Sequence, residues 1–173
     1  LAVNAAILSA FKTSGQRCVS ASRIFVHGSF DYEFMLRFIE KVKQLKIGNA
    51  SLEDTFMGPL INNDALEKVI FYNELAKKEG AKVLLDWRKI DDNGGYFISP
   101  FVYSLDSSHV SFLGKRVMNE EVFGPHVAII PFLNLEEVVQ FYNSAPYAFA
   151  LSIFSNDYRT IRYLRENCEF GVG

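Results

Sequence analysis

The chain has 173 residues, 49% of them hydrophobic and 22% charged; that is enough to bury one sizeable core and does not fit a disordered or fibrous segment. A formal net charge of -2 gives no electrostatic reason to expect nucleic acid or an anionic membrane as a partner. No apolar run approaches the roughly 20 residues that span a bilayer, and residues 1–11 lack the charged flank and cleavage site of a secretory signal.

The chain opens on helix-period apolar sequence, with Leu1, Ala5, Leu8 and Phe11 on one expected face. Arg23–His27 reads as a short strand, and the pattern Phe34, Phe38, Val42, Leu45 predicts a helix over 30–45 with Ser29 as its cap. Gly48, Asn49 and the Gly58 and Pro59 pair punctuate a loop. A second helix is expected over 63–79, closed by Gly80 in the position after a helix that glycine favours.

Lys82–Leu85 reads as a strand, and Asp91, Asp92, Asn93, Gly94 and Gly95 form a turn signal before an extended run over 96–103, where Pro100 marks an irregular or edge strand. His126–Phe132 is expected as a buried strand, 135–143 as a helix, 149–155 as a strand and 157–167 as a helix capped by Asn156 or Asp157. The terminal run 170–173 is strand-like. Strands alternating with helices predict an α/β fold with a largely parallel sheet covered by helices on both faces. The apolar opening without a starting methionine and the abrupt end make both termini read as cut from something larger.

Cys18 and Cys168 form neither a CxxC pair nor a disulfide framework, which points to a reducing, cytoplasmic setting. His27, His109 and His126 are scattered, so no metal site is expected. Cys168, near a helix end, reads as a packing residue.

Cys18 stands in the run FKTSGQRCVSASRIFVH, after Gly15, Gln16 and Arg17. On these residues alone it reads either as a small buried apolar side chain or as a nucleophile, since a thiolate can attack a carbonyl and divide one hard reaction into two easier ones. Activation by His126 or His109 in a protease-like pair is a further reading, though neither histidine lies in a local motif of that kind. His126 otherwise reads as a strand-end residue with its polar atoms satisfied.

A second run, NEEVFGPHVAIIPF, places Glu120 and Glu121 before Phe123 and a Gly124 and Pro125 turn that could present them at a strand end, where α/β sheets bind ligands. A carboxylate can accept paired hydrogen bonds from ribose hydroxyls, and an aromatic ring can confine a flat heterocycle. Standing alone, the run reads equally as two solvated carboxylates beside a core phenylalanine.

Together, SGQRC with SASRIFV and EEVFGP resemble the nucleophile segment and the cofactor segment of the aldehyde dehydrogenase superfamily, in the order the family follows. FMGPLIN at 56–62 and GYFISPFVY at 95–103 also resemble its linking segments, read here as a Gly58 and Pro59 turn and an extended pass near the site. The resemblance implies that Cys18 is the catalytic nucleophile and that Glu121 contacts the ribose and Phe123 the nicotinamide of NAD or NADP. It implies that a small-molecule aldehyde is oxidised through a thiohemiacetal and a thioester, with the backbone N–H of Cys18 as one oxyanion donor. Val19 would then be an apolar wall beside the nucleophile.

On the same resemblance, residues 1–173 form a single cysteine-bearing catalytic domain, truncated at both ends relative to the family. The nucleotide-binding domain, with its water-activating glutamate, and the oligomerisation segments would lie outside it. The parent protein would be a homo-oligomer, and the isolated chain would turn over little or no NAD. A CoA-acylating or reductive superfamily member is the related alternative. A non-catalytic interaction module is the alternative of a different class, since a fold can outlive its chemistry.

Overall fold

The computed structural model describes residues 1–90, 94–105, 114–147 and 149–173; His109 and Asp91, Asp92 and Asn93 of the expected turn lie outside the described residues. Helix α1 spans Ala2–Phe11 and strand β1 Arg23–His27, followed by helices α2 (Asp31–Val42) and α3 (Asn63–Lys78). Then come β2 (Lys82–Leu85), β3 (Lys89–Ile90), β4 (Phe97–Ile98) and β5 (Phe101–Ser104). The one-turn helix α4 (Arg116–Asn119), β6 (His126–Phe132), α5 (Leu135–Ser144) and α6 (Tyr158–Asn167) complete the order.

Four strands form the main sheet in the order β1, β6, β5, β2. The pairs β1 with β6 and β6 with β5 are parallel, with Arg23 opposite Ala128 and Phe101 opposite His126, while β2 runs antiparallel on the edge. The largely parallel α/β sheet expected from the alternation is therefore present. Because successive strand side chains point to opposite faces, Ile24, Val26, Val102, Val127 and Ile129 pack under α1 and α2. Phe101, Tyr103, Ala128 and Ile130 pack against α3 and α4 on the other face, and Phe25 and Phe132 continue that layer beneath α5 and α6. Phe38 is fully buried between Phe11 and Phe34, at ring distances of 6.1 and 5.7 Å, and burying a side chain of this size stabilises the fold by roughly 2 to 3 kcal/mol.

Pro131 sits inside β6 without interrupting it. The Ala128 N–H donates to Ser22 O of the chain leading into β1, so by alternation position 131 would aim its missing N–H away from β1. On that side β5 has already ended, its last partner being Ile129, and no ladder bond is lost.

Several expectations are corrected. In α1 the buried residues are Ile7, Ala10 and Phe11, whereas Leu1 and Leu8 are exposed; a helix apolar on nearly every side does not reveal which face it buries. Helix α2 begins after Phe30 and ends at Val42, and Ser29 does not cap it. Instead the Ser29 N–H donates to His27 Nδ1 at 3.3 Å, and Asp31 and Glu33 supply negative charge to the first turn. The run 96–103 divides at Pro100 into β4, paired with β3, and β5, paired with β2 and β6.

Neither 149–155 nor 170–173 forms a strand; among the described residues the two stretches meet in a bridge between Ala150 and Val172. The alternation over 149–155 is real, with Leu151 and Ile153 packed inward and Phe154 outward, but alternation specifies a face and not a pairing partner. The end signals of α3 and α6 hold. Asn62 accepts from Ala65 N at 2.9 Å, Gly80 follows α3 at φ +87, and Asp157 accepts from Arg159 N at 3.0 Å. Cys168 is buried beside Val138, Tyr142 and Leu164.

His126 opens β6 and is 3% exposed. Its Nδ1 lies 2.8 Å from Asn73 Oδ1 and its Nε2 3.0 Å from the Tyr103 hydroxyl, so both ring nitrogens are engaged, as its strand-end reading expects. The amide oxygen can only accept, so Nδ1 carries the proton and Nε2 accepts from Tyr103. No nitrogen is left to activate Cys18. Asn73 Nδ2 finds no partner among the described residues, an omission that costs about 1 to 3 kcal/mol. Burial pushes the His126 pKa down to about 3 and the Tyr103 hydroxyl upward.

The unfolded imidazole takes up its proton near pH 6.5, so between that value and about 3 the unfolded state binds more protons. Stability therefore falls as pH falls, by up to about 1.4 kcal/mol per unit. Between about pH 6.5 and 5, where most carboxylates stay ionised, denaturant unfolding should show this loss, and His126→Gln should flatten it. A slope that the substitution leaves unchanged would mean that His126 protonates as readily in the fold as in the unfolded chain.

Candidate active site

The cysteine loop is built from the end of α1 outward. Ser14 and Gly15 both take positive φ, +55 and +67, which folds the chain back after Phe11. A tight turn then runs from Arg17 to Ser20, closed by Ser20 N–H to Arg17 O at 2.9 Å and by Arg17 N–H to Ser20 Oγ at 3.2 Å. Cys18 is the second residue of that turn, and it, Arg17 and Val19 are exposed. The Cys18 N–H donates to no group among the described residues. An exposed thiol beside a free amide is an arrangement that a packing cysteine does not need.

Beneath the loop lies the stretch 56–62. Ser14 Oγ donates to Gly58 O at 2.8 Å, Gln16 Nε2 donates to Pro59 O at 3.4 Å, and Gln16 Oε1 accepts from Ile61 N at 3.0 Å. Gly58 and Pro59 were expected to turn; neither lies in a turn or bend, and their carbonyls form the floor of the loop. Gln16 reads this floor from both sides of its amide.

Glu120, Glu121, Val122 and Phe123 follow α4. The Glu120 carboxylate receives Arg116 Nε at 2.6 Å, Arg116 Nη2 at 2.9 Å and the Tyr72 hydroxyl; the Arg116 guanidinium first, and Tyr72 second, bring its pKa down to about 2. Glu121 is exposed, and its carboxylate makes no hydrogen bond or ion pair among the described residues. Phe123 is 41% exposed, so it is not a core residue, and its backbone is held at φ +60, a conformation that costs a non-glycine residue about 1 to 3 kcal/mol. Val122 on one side is buried, and on the other Gly124 lies so close to α3 that an added Cβ would meet Val69 Cγ2 at 2.2 Å.

The two segments meet through their backbones. A Cβ on Gly15 would lie 2.0 Å from Gly124 O and 3.0 Å from Pro125 N, so the cysteine loop and the carboxylate turn touch where neither presents a side chain. Each precedes one of two paired parallel strands, and Phe101 N–H, opening β5, donates to Pro125 O at 2.9 Å. The site therefore forms at the amino ends of β1, β6 and β5. That is the edge opposite to the carboxyl ends at which doubly wound sheets bind ligands.

Sequence reasoning missed the groups that hold this geometry. Val69 lies about one helical turn before both Tyr72 and Asn73 on α3, and the three engage Gly124, Glu120 and His126 respectively. Glu79, just past α3, accepts Arg116 N at 3.0 Å and Val117 N at 3.3 Å, capping α4. From another direction Tyr147 donates its hydroxyl to Glu120 O at 3.0 Å, and Arg23 lies over its ring. The i, i+3, i+4 spacing on α3 was a readable signal of a shared face; Tyr147, in a loop, offered none. The described residues hold no cluster of three His, Cys, Asp or Glu able to bind a metal.

Gly15→Ala tests the backbone contact. Gly80 shares the positive φ but has only the flexible Lys115 Nζ at 4.0 Å from an added Cβ, so Gly80→Ala measures conformational strain alone, about 1 kcal/mol. Gly15→Ala adds the clash with Gly124 O and should cost at least about 2 kcal/mol more by denaturant unfolding. Equal costs would show that the two loops can separate freely.

The aldehyde dehydrogenase family model matches residues 1–172. The chain is 37% identical to 1-pyrroline-5-carboxylate dehydrogenase of Staphylococcus haemolyticus, over all of this chain and 32% of that protein. It is 30% identical to malonate-semialdehyde dehydrogenase of Bacillus subtilis, over 95% of this chain and 33% of that one. Among solved structures, betaine aldehyde dehydrogenase of Staphylococcus aureus in complex with NAD+ matches with a TM-score of 0.88 and 32% identity, covering 99% of this chain and 34% of that chain. The chain thus spans about a third of the length of these relatives. A family model that takes in all but the last residue, and a fold shared with a solved member over nearly the whole chain, lead to one conclusion: the chain belongs to the aldehyde dehydrogenase family.

Proposed function

We propose that this chain is the cysteine-bearing catalytic domain of a longer NAD(P)-dependent aldehyde dehydrogenase, which oxidises a small aldehyde to a carboxylate. The observation that carries the reading is the backbone contact of Gly15 with Gly124, which joins the loop of an exposed Cys18 to the turn bearing Glu121 and Phe123. A free carboxylate and a half-exposed ring held by a strained backbone suit a sugar hydroxyl pair and a flat heterocycle, so the residues present fit the nicotinamide end of the cofactor. The NAD+ bound by the staphylococcal betaine aldehyde dehydrogenase supports the same reading.

In this reading the Cys18 thiolate attacks the aldehyde carbon, forming a C–S bond while the carbonyl π electrons move to oxygen. The Cys18 N–H, free of other acceptors, donates to that oxyanion. Bound NAD(P)+ supplies the acceptor for the hydride that leaves carbon as the C=O bond reforms. Cys18 then holds the acyl group as a thioester, and water attacks it, releases the carboxylate and returns the thiolate. Glu121 fixes the ribose and Phe123 limits the tilt of the ring, while Val19 lines the approach beside the nucleophile.

By the resemblance, the glutamate that activates the water, the second oxyanion donor and the residues that read the ribose 2′ position come from the family's nucleotide-binding part, in the two thirds of the relatives' length that residues 1–173 do not match. In this reading residues 1–173 tested alone turn over little NAD, and the parent protein is a cytoplasmic homo-oligomer. No helix among the described residues is long and apolar enough to cross a membrane.

The test is oxidation of an aldehyde panel with NAD+ or NADP+ by the full-length protein beside its Cys18→Ala variant. The expected result is turnover of at least one aldehyde, with kcat/KM at least about a thousandfold lower in the variant. Product formed only when coenzyme A is supplied, and released as its thioester, would move the protein to the acylating branch. Turnover that survives Cys18→Ala would end the reading.

A further inference from the structure

Tyr147 stands between the two halves of the site. On one side Arg23, the first residue of β1 and part of the strand that follows the cysteine loop, lies over its ring at 5.2 Å and donates Nη2 to Tyr147 O at 3.3 Å. On the other side the Tyr147 hydroxyl donates to Glu120 O at 3.0 Å, the carbonyl of the peptide leading directly into Glu121.

The Glu120 side chain is already held by Arg116 and Tyr72, so its carbonyl is the remaining backbone handle by which Glu121 can be aimed. Burial, with the nearby Glu121 charge adding to it, raises the Tyr147 pKa, so the phenol stays a donor at ordinary pH. A stacked guanidinium fixes the ring without competing for its hydroxyl.

We propose that Tyr147 is a positioning residue that sets the Glu121 carboxylate relative to Cys18. Arg23 fixes its ring to the cysteine strand, and its hydroxyl fixes the Glu120 carbonyl. The proposal rests on Glu121 contacting the cofactor ribose. It acts through Glu121 alone and contributes to cofactor binding, not to the bond-making at Cys18.

Four forms of the full-length protein test it: the parent, Tyr147→Phe, Glu121→Gln and the double variant, each assayed for KM of NAD(P)+ and for kcat at saturating cofactor. Tyr147→Phe keeps the ring and removes one oxygen; its KM for the cofactor should rise about three- to tenfold while kcat changes less than about twofold. Glu121→Gln should raise the same KM at least as much, and the double variant should add little to Glu121→Gln, because both changes remove one interaction.

An unchanged KM in Tyr147→Phe, or increases that multiply in the double variant, would overturn the positioning role while leaving the cofactor reading in place. An unchanged KM in Glu121→Gln would overturn the cofactor reading and this proposal with it. Should Tyr147→Phe fail to fold, as judged by its thermal midpoint, Arg23→Lys loosens the ring without removing it. The same rise in KM, smaller in size, is then expected, and its absence overturns the proposal.

Discussion

The whole site depends on one place where two backbones touch with no side chain between them. Gly15 and the Gly124 carbonyl are so close that a single methyl group would not fit, and every other feature of the site can be traced to what holds these two peptides there. From the sheet comes the parallel pairing of β1 with β6, which brings the segments before both strands to one edge. From below comes the stretch 56–62, whose Gly58 and Pro59 carbonyls take Ser14 and Gln16. The close approach turns two sequence-distant motifs into one surface, with an exposed thiol on one lip and a free carboxylate and ring on the other.

Helix α3 is the template for the second lip. Successive positions on one of its faces hold Gly124 by packing, Glu120 by hydrogen bonding and His126 through a buried amide. These contacts also explain how Phe123 keeps a backbone conformation that free residues of its type avoid, since the segment is fixed on both sides of it. Polar burial is tolerated because His126 is neutral and doubly bonded. Beside it the Asn73 Nδ2 is left without a partner among the described residues. Rigidity here suits a surface that must present groups to a reacting centre within fractions of an ångström.

Much of this was legible in the sequence, but unevenly. The parallel α/β sheet followed from alternating patterns, and the ends of α3 and α6 followed from Asn62, Gly80 and Asp157, because such signals are local and chemical. The faces and partners were less legible. Nothing in residues 1–11 told which side of an all-round apolar helix would be buried, and the alternation over 149–155 named an inward face but no neighbour to pair with. Cys18, Glu121 and Phe123 could be singled out by type and by resemblance, and all three prove exposed. Tyr147, Arg116 and Tyr72 act through tertiary contacts over long sequence separations, to which no periodicity corresponds. The edge of the sheet on which the site forms was likewise set by topology: both motifs precede their strands, so they gather at the amino ends.

The claim on which the functional account turns is that Cys18, and not the buried Cys168, carries the substrate carbon. Acid quenching of the full-length protein during turnover of an aldehyde with its cofactor, followed by tryptic digestion and mass spectrometry, addresses it directly. The account expects an acyl group on the peptide covering residues 18–23, appearing only when both aldehyde and oxidised cofactor are present. Steady product formation with that peptide unmodified, or with the acyl group on Cys168, would contradict it.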